Sequence, residues 1–504
     1  MCGIAGLWGG RDERLIAEMM TRLHHRGPDA DGIWSSAHKT LGHRRLSIMD
    51  PAGGDQPIHS ADRRRVIVGN GEIYNFPALR RELEADHGFR TRSDTEVALH
   101  LWEEEATGVA ERLDGMFAFA IADDDQLFLA RDPVGIKPLY TGSLPGGGRV
   151  FASELKALVG VASDVHEFPA GTWYHSQHGY RRFYDVPCEQ VEQLSVAEHC
   201  RRIRTTLERA VEKRMMSDVP LGAFLSGGLD SSVIAAIARQ HVDELHTFSV
   251  GVEGSDDLEA ARTVARHLDT VHHEYVLTLD EVLERLPEIV YHLESYDQDL
   301  VRSAIPCYFT SRLASEHVKV ILTGEGADEL FAGYTYYKGI PDDEALRDEL
   351  RRSVQALHNV NLQRVDRLTM AHSIEGRVPF LDTELIRLAQ TVPARLKLRR
   401  SEHGVWQEKW ILRKACEDLL PPAITWRVKA QFDEGSGTVD LLGNGLERFL
   451  LPEEAGPYRR LHRHAALRSN EEAVYHRLLD EAYDGSAVVL DNVARWADRP
   501  VAHG

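Results

Sequence analysis

Cys2 is the first residue whose type and position could do chemistry. It follows Met1 directly, so removal of Met1 would leave one residue that carries both a thiol and a free α-amine. Such an amine, with a pKa of about 8, can accept the proton of its own thiol near neutral pH. The position favours an N-terminal nucleophile, and at this point a chance placement of the cysteine stays open as the simpler alternative.

The stretch FLSGGLDSSVIAAIAR is the second candidate. It joins an apolar, strand-like run to an apolar helix through Gly227 and Gly228. Glycines let the backbone approach an anion closely, and the N–H groups that begin a helix favour phosphate. Ser226 adds a hydroxyl and Asp230 a carboxylate suited to magnesium. Because the lysine of a Walker A loop is missing, we predict a nucleotide-binding loop of another kind, against the alternative of an ordinary strand-to-helix turn.

A third stretch, LTGEGADELFAGY, places Glu325, Asp328 and Glu329 close together after a strand-like run. Acids at the carboxyl end of a strand lie where ligands of open α/β sheets bind. They predict a second magnesium ligand and a general base, with a solvated acidic loop as the alternative. The stretch lacks the third glycine of a dinucleotide fingerprint, so that interpretation is discarded.

The elements that must position these residues begin with strands. FAFAIA and QLFLAR flank three aspartates and predict a β-hairpin, while RVIVGNGEIY predicts a strand that runs into a tight turn at Asn70-Gly71. RSDTEVALHLW predicts the start of a helix, with Ser93 and Glu96 as a capping box. The first third of the chain is therefore expected to be rich in strands.

Beyond a boundary near residues 185–200 the chain becomes helical. LGAFL and VKVILT each precede a glycine-containing loop and a helix, which predicts a parallel sheet with crossover helices. Near the C-terminal end, Ser469 and Glu472 predict a capped helix that stops at Gly485.

Composition excludes several classes of protein. The chain has 504 residues, and 79 acidic against 59 basic residues give a formal charge of −20, which argues against a nucleic-acid partner. No apolar run approaches the roughly 18 residues needed to span a bilayer, and a signal-peptide pattern is missing. The five cysteines form no CxxC pair, which argues against a disulfide framework and a zinc site. We expect a reduced, cytoplasmic protein.

Two adjacent histidine pairs, His24-His25 and His272-His273, suggest metal binding at first sight. Neighbouring residues do not share a helix face, so we interpret both pairs as structural.

Ordered matches along nearly the whole chain identify a family. Beside the two glycine loops, the matching stretches are MCGIAG, HRGPDADG, GHRRLSIMD, NGEIYN, RSDTE, RDPVGIKPLY, EGRVPFLD and WRVKAQF. In these stretches the chain resembles glutamine-hydrolysing asparagine synthetases. The resemblance implies an α+β N-terminal-nucleophile hydrolase sandwich (αββα) over residues 2–190. A mainly helical α/β PP-loop domain with a central parallel sheet would follow over residues 200–500.

The same resemblance implies the activity and its small molecules. L-Glutamine would release ammonia at Cys2, and ammonia would pass through an internal tunnel to a β-aspartyl-AMP intermediate made from L-aspartate and ATP. The products would be asparagine, glutamate, AMP and pyrophosphate, with Mg²⁺ as the metal cofactor. No nucleic-acid or membrane partner is expected, and a homodimer is left open.

For the first domain the resemblance implies a nucleophile, an oxyanion hole and a glutamine site. Cys2 would be the nucleophile, and Asn70 and Gly71 would form the oxyanion hole. The implied glutamine-binding residues are Arg45, Leu46, Ile48, Asn70, Gly71, Glu72 and Asp94. Arg45 would pair with the α-carboxylate of glutamine, and Glu72 and Asp94 with its α-amine. Without the resemblance, Asp94 reads more simply as an acid at a helix N-terminus.

For the second domain it implies an ATP site, a metal site and an acceptor site. The ATP-binding residues would be Leu225, Ser226, Gly227, Gly228, Leu229, Asp230, Ser231, Ser232, Val250, Asp257, Thr323 and Gly324. Asp230 and Asp328 would bind Mg²⁺, and Arg302 and Glu325 would meet the acceptor carboxylate. Glu325 would also help ammonia to attack, and Lys429 would neutralise charge on the phosphates during adenylation.

The chain departs from the family before the stretch SAIP, where two threonines are replaced by Asp299 and Leu300. Arg302 is kept, but the new acid could repel an aspartate side chain or bind an amine. Three alternatives follow: an amidotransferase for another carboxylate, a relative of β-lactam synthetase, and a non-catalytic nucleotide-binding regulator. Cys2 argues against the second, and the occupied catalytic positions argue against the third.

Overall fold

The computed structural model describes residues 1–401, 404–428, 435–438, 442 and 445–495. Strands predominate up to residue 182, and helices predominate afterwards. The strands are β1 Cys2–Trp8, β2 Ala30–Ser35, β3 Lys39–Arg45, β4 Ile58–His59, β5 Arg65–Ile73, β6 Gly115–Asp123, β7 Gln126–Arg131, β8 Tyr140–Ser143, β9 Arg149–Ala152, β10 Ser163–Glu167, β11 Thr172–His175, β12 Gly179–Arg182, β13 Leu221–Phe224, β14 His246–Gly251, β15 Val271–Val276, β16 Val320–Leu322, β17 Glu375–Arg377, β18 Arg399–Arg400 and β19 Trp406–Gln407.

Most of the described helices lie in the second part of the chain. They are α1 Glu13–Arg22, α2 Phe76–Leu83, α3 Glu96–Glu105, α4 Val109–Arg112, α5 Val196–Arg214, α6 Leu229–Ala238, α7 Asp256–Leu268, α8 Leu279–Leu293, α9 Gln298–Ser315, α10 Ala327–Phe331, α11 Asp343–Gln355, α12 Asn361–Met370, α13 Thr383–Thr391, α14 Ala394–Lys397, α15 Trp410–Ala415, α16 Pro422–Thr425, α17 Pro452–Leu461, α18 Asn470–Ala482 and α19 Ala487–Leu490. None of the described helices is both long and apolar enough to cross a membrane.

The first part is a sandwich of two antiparallel six-stranded sheets. Their strand orders are β10-β8-β9-β1-β3-β2 and β12-β11-β7-β6-β5-β4. Alternate residues of β5 and β6 separate two cores: Val66 and Ala118 pack between the sheets, while Ile67 and Phe117 pack beneath α2 and α3. Because α1 covers the other sheet, the layers are αββα, and the expected fold class of this part is confirmed.

The second part is built around a parallel sheet of order β15-β14-β13-β16-β17. Alternation again separates its faces. Ala223 packs with α6 on one face, while Phe248 and Ile321 pack towards the end of α9 on the other. A parallel sheet covered on both faces places all strand carboxyl ends along one edge, which is where the two glycine loops leave it. The expected PP-loop type of domain is confirmed.

Several local predictions are confirmed. β6 and β7 form the hairpin across the three aspartates. The Ser469 hydroxyl accepts a 3.0 Å bond from the Glu472 N–H, so α18 has its N-terminal cap, and Gly485 follows its end. Between the end of β12 at residue 182 and the start of α5 at residue 196 the chain changes from strands to helices, and the domain boundary near residues 185–200 stays a prediction.

Two local predictions are wrong. Asn70-Gly71 is no turn, because β5 runs straight through it and pairs with β6 at Ala118 and Phe117. Ser93 does not cap α3, whose N-terminal flanking residue is Thr95, and the Glu96 carboxylate instead accepts the N–H groups of residues 90 and 91. In both cases contacts with a neighbouring segment of the chain outweigh the local preference of these residues for a turn or a helix cap.

Candidate active sites

Cys2 begins β1 between the two sheets of the sandwich. It stands opposite Arg45 on β3, and its N–H donates a 2.9 Å bond to Asn70 Oδ1 on β5. Its carbonyl accepts a 3.0 Å bond from Arg26 Nε. Both sheets therefore contribute to holding the cysteine backbone. Burial raises the pKa of the Cys2 thiol, so a nearby base must take its proton before it can attack.

Asn70 and Gly71 offer donors beside this thiol. Asn70 Nδ2 is buried and has no hydrogen-bond partner among the described residues. A buried donor without a partner costs free energy, and a ligand oxygen would satisfy it. Gly71 has φ +150°, and a Cβ at this position would lie 1.9 Å from the Met116 carbonyl oxygen, so only glycine fits there.

Glu72 and Asp94 place two carboxyl groups in the same buried region. The Ile73 N–H donates a 2.7 Å bond to Asp94 Oδ2. Burial, opposed by that bond and reinforced by Glu375, raises the pKa of Asp94 to about 6, and burial together with Glu375 also raises the pKa of Glu72. Two buried acids of raised pKa form a site that a cation would stabilise.

Arg45, Leu46 and Ile48 line the other side of this region. The Arg45 guanidinium donates to Asp55 at 2.7 Å and to the carbonyl oxygens of residues 49, 50 and 51, so the loop holds it in place. Leu46 and Ile48 pack with Met1 and, from the second part of the chain, with Val320 and Met370. The Met1 ammonium lies 2.9 Å from Glu375 Oε2. The first site thus faces the second part of the chain directly.

The second site begins where β13 ends. Ser226 leads into Gly227 and Gly228, and α6 starts at Leu229. A Cβ on Gly227, whose φ is +71°, would lie 2.5 Å from Ala260 Cβ, so the close approach of α7 requires glycine. The hydroxyls of Ser226 and Ser231 lie 3.0 Å apart, and Ser232 Oγ is buried without a partner among the described residues. Hydroxyls and helix N–H groups therefore converge at one anion-binding turn.

A cavity of about 310 Å³ opens in front of this turn. It is lined by residues from the ends of β13, β14 and β16 and from α9 and α12. Ten of the twelve residues that the resemblance assigns to ATP line it: Leu225, Ser226, Gly228, Leu229, Asp230, Ser231, Val250, Asp257, Thr323 and Gly324. The remaining two, Gly227 and Ser232, belong to the same loop and helix. Glu325 and Asp328 also line the cavity.

Asp230 and Asp328 meet at a single ammonium group. Lys409 Nζ donates to Asp230 Oδ2 and lies 2.6 Å from Asp328 Oδ1. Burial opposes the charge, but the two carboxylates raise the pKa of Lys409, so it stays protonated. Asp230 Oδ1 is buried and has no hydrogen-bond partner in the described part of the chain. Two hard oxygen donors at this spot fit Mg²⁺.

Both halves of the chain match known families. Residues 1–206 match the family described as "Glutamine amidotransferase domain", and residues 202–341 and 338–487 match "Asparagine synthase". The relative "Asparagine synthetase [glutamine-hydrolyzing] 3" of Arabidopsis thaliana is 42% identical over an alignment of 460 residues that covers 87% of this chain and 79% of the relative. "Asparagine synthetase [glutamine-hydrolyzing]" of Triphysaria versicolor is 41% identical, over 87% of this chain and 78% of the relative.

The chain belongs to the glutamine-hydrolysing asparagine synthetase family. A solved structure of glutamine phosphoribosylpyrophosphate amidotransferase from B. subtilis is also similar. It is 21% identical over 50% of this chain and 67% of that chain, with a TM-score of 0.32.

Arg302 is held by an acid outside the candidate ATP cavity. Its guanidinium makes a bidentate salt bridge with Glu471 near the start of α18, and Arg302 is not among the described residues that line the cavity. Asp299 does line the cavity, and Arg468 Nη1 lies 2.9 Å from its Oδ2. The acid that replaces a family threonine is therefore paired with a cation.

The structure also shows residues that sequence reasoning missed. Lys409, Arg413 and Arg364 line the cavity, and Arg364 bonds the carboxylate of Glu325. Arg26, which holds the Cys2 carbonyl, also bonds Asp366 on α12 at 2.7 Å. Arg364 and Arg413 lie in charged helical stretches, which are typical of solvated surface residues, whereas Arg26 lies in the family-matching stretch HRGPDADG. Lys429, assigned to adenylation, lies outside the described residues.

Proposed function

We propose that this chain makes asparagine from aspartate and ATP with ammonia released from glutamine. The observation that carries the proposal is the presence, on one chain of this family, of the Cys2 site and of the cavity at the Ser226–Ser232 loop. The first site contains a thiol with an unsatisfied amide donor, and the second contains an anion-binding turn with two acids.

In the first half-reaction the Cys2 thiolate would attack the amide carbon of glutamine. Once Met1 is removed, the Cys2 α-amine would take the thiol proton and later give it to the leaving ammonia. Asn70 Nδ2 and the Gly71 N–H would donate to the oxyanion of the tetrahedral adduct. Water would then hydrolyse the thioester to glutamate.

Substrate recognition at this site would rest on charge. Glu72 and Asp94 would bind the α-ammonium of glutamine, and Arg45 its α-carboxylate. Leu46 and Ile48 would line the side that faces the second domain. Because Met1 occupies the space between these residues and Val320, its removal would open the pocket towards the synthetase half.

In the second half-reaction the β-carboxylate of aspartate would attack the α-phosphorus of ATP, and pyrophosphate would leave. The Ser226–Ser232 loop would hold the pyrophosphate, and Leu225 and Val250 would flank the adenine. Lys409 and Lys429 would offset the phosphate charge. Ammonia would then attack the acyl carbon, with Glu325 taking a proton and AMP leaving.

We also propose that Asp230 and Asp328 bind Mg²⁺. When bound, the ion would neutralise charge on the phosphates of ATP. Lys409, which bridges the two carboxylates, would supply a further positive charge near the phosphates.

Two arginines could anchor the acceptor carboxylate. The resemblance assigns Arg302, whose guanidinium is bound to Glu471, whereas Arg364 lines the cavity beside Glu325. We retain Arg302 as the family assignment and propose Arg364 as the group that aspartate meets first. An amidotransferase for another acceptor is the second candidate, motivated by Asp299. Its pairing with Arg468 removes the main electrostatic objection to aspartate, so we favour aspartate.

We propose three further properties of the chain, namely its domain bounds, its location and its oligomeric state. We place the glutaminase domain at residues 2–190 and the synthetase domain at residues 200–500. We also propose a cytoplasmic location. We propose a homodimer as well, and light scattering on the purified protein tests this oligomeric state.

The test is incubation with Mg-ATP, L-aspartate and amide-¹⁵N glutamine, followed by mass spectrometry. We expect labelled asparagine with AMP and pyrophosphate. Cys2→Ala should lose this product but keep asparagine formation from ammonium chloride, and mass analysis of the intact protein should show that Met1 is absent. Glutamate release without asparagine would contradict aspartate as the acceptor, and Cys2→Ala that retains glutamine-dependent synthesis would contradict the nucleophile.

A further inference from the structure

Three histidines converge at the end of the parallel sheet that is opposite the ATP cavity. His246 begins β14, His273 lies on the neighbouring β15, and His317 follows α9. The three histidines are not among the described residues that line the cavity, whose first lining residue on β14 is Phe248, two positions beyond His246. The cluster is thus distinct from both candidate active sites.

The ring nitrogens of these histidines lie close enough to share one ion. One nitrogen from each ring lies within 4.8 Å of the others, and His246 Nδ1 is 3.0 Å from His273 Nε2. Tetrahedral zinc with bonds of about 2.0–2.1 Å places its nitrogen ligands about 3.3 Å apart. The printed separation of 3.0 Å is close to that value, and rotation of the rings would turn the three nitrogens towards one ion.

The surroundings match those of a metal-binding histidine. Glu244 Oε1 lies 3.4 Å from His246 Nε2, which leaves Nδ1 of that ring facing the other two histidines. Histidines that bind metals commonly donate their second nitrogen to a carboxylate.

A second group, His87, His100 and Glu103, meets the same distance criterion but has another explanation. His100 Nδ1 lies 2.8 Å from Glu103, and Glu96 lies on its other side. Burial alone would lower the pKa of His100, but these acids raise it to about 9. Its ring is therefore protonated at neutral pH, and the group is an ion-pair network.

We propose that His246, His273 and His317 form a binding site for a divalent transition metal, represented by zinc, with water as the fourth ligand. Imidazole prefers such metals, whereas Mg²⁺ prefers oxygen, so the magnesium used with ATP does not compete. This interpretation replaces the structural role that the His272-His273 pair suggested, because the sheet joins His273 to histidines far away in sequence.

The test uses the full-length protein after treatment with a chelator. Zinc chloride is added in the presence of excess Mg²⁺, binding is measured by titration calorimetry, and the bound zinc is counted by elemental analysis. We expect one zinc per chain bound by these histidines. Loss of a partner outside the ligand shell commonly weakens metal binding by about 10–100-fold, so His317→Ala, which removes a ligand, should raise the dissociation constant at least about tenfold. His317 is exposed, so its replacement should leave the fold and glutaminase activity unchanged.

His241→Ala is the matched control, since His241 is exposed at the same end of the sheet but lies outside the cluster. It should bind zinc as the unmodified protein does. Cobalt should give tetrahedral visible absorption bands in the unmodified protein and in His241→Ala, but not in His317→Ala. The proposal would be overturned if His317→Ala bound zinc as tightly as the unmodified protein. It would also be overturned if Cys2→Ala were the one variant that lost zinc binding. Absence of zinc binding in the unmodified protein would overturn it as well.

Discussion

At the residue scale, the first site consists of polar groups that are buried before any ligand binds. Asn70 Nδ2 has no acceptor among the described residues, and Glu72 and Asp94 carry raised pKa values. Burying such groups costs free energy that packing elsewhere must offset. A ligand with an ammonium group and a developing oxyanion would satisfy all three, which is the pattern that glutamine presents to a nucleophilic thiol.

The raised pKa of Asp94 predicts a pH dependence of glutamine binding. Above its pKa of about 6 the carboxylate attracts the glutamine ammonium, and below it the neutral acid does not. KM for glutamine should therefore rise as pH falls through about 6. Initial glutaminase rates between about pH 5 and about pH 8 measure this. Asp94→Asn should show a high KM that rises less as pH falls, because Glu72 is then the one remaining acid of the pair, and a profile parallel to that of the unmodified protein would contradict the assignment.

Asn70 is expected to stabilise the tetrahedral adduct. Loss of one oxyanion donor typically lowers kcat by about 100- to 1,000-fold, so Asn70→Ala should reduce glutaminase kcat by that amount. Asparagine formation from ammonium chloride should be unchanged. Asn75→Ala serves as the control, because the Asn75 side chain bonds only backbone groups of residues 112 and 114 in the described structure. A similar loss of kcat in both variants would indicate a general disturbance of the β5 segment.

At the element scale, strand ends and a single helix place the functional groups. β1 and β5 bring Cys2 to Asn70 across the sandwich, and the end of β13 presents the Ser226 loop. Helix α12 spans the space between the sites: Arg364 lines the cavity, and Asp366 bonds the arginine that holds the Cys2 carbonyl. The distance between the two sites is therefore set in part by one continuous helix.

Gly227 is predicted to be essential for the shape of the ATP loop. An alanine there would combine about 1–3 kcal/mol of backbone strain with a contact of 2.5 Å to Ala260 Cβ. Gly227→Ala should reduce pyrophosphate formation at least about tenfold while glutaminase activity remains. Gly160→Ala is the matched control, since Gly160 has the same φ of +71° with no atom within 4 Å of the added Cβ among the described residues. Equal synthetase activity in the two variants would contradict the steric argument.

At the scale of the whole molecule, buried ion pairs join the two halves. Arg26 bonds Asp366 at 2.7 Å, and Lys156 Nζ lies 3.1 Å from Glu294 Oε1. These side chains are almost completely buried. Removing one partner of a buried pair leaves an uncompensated charge, so the contact between the halves depends on all members of the network.

Asp366→Asn should therefore destabilise the protein as a whole. We expect a loss of about 3–5 kcal/mol in the free energy of unfolding, measured in urea at neutral pH. Asp418→Asn is the control, because Asp418 is 74% exposed where it pairs with Arg204, and exposed pairs contribute about 0–1 kcal/mol. Equal stability of the two variants would show that the buried network does not hold the halves together.

Much of this architecture could be predicted from local patterns. Two strand-like apolar runs on either side of three aspartates predicted the β6–β7 hairpin, and the capping residues of α18 predicted its start. The prediction of a turn at Asn70-Gly71 was wrong, because pairing with β6 holds in a strand a dipeptide that favours turns in isolation. Arg302 could not be placed, because its salt bridge with Glu471 joins segments far apart in the chain.

The sequence by itself determined the two fold classes, the nucleophile candidate and the phosphate-binding loop, because periodicity, glycine spacing and family motifs are properties of short segments. Tertiary structure alone decided which charges meet. Lys409 lies between Asp230 and Asp328, Arg468 neutralises Asp299, and His273 joins His246 and His317. Electrostatic and metal-binding groups act over a few ångströms in space, and only the folded path of the chain brings those residues within that distance.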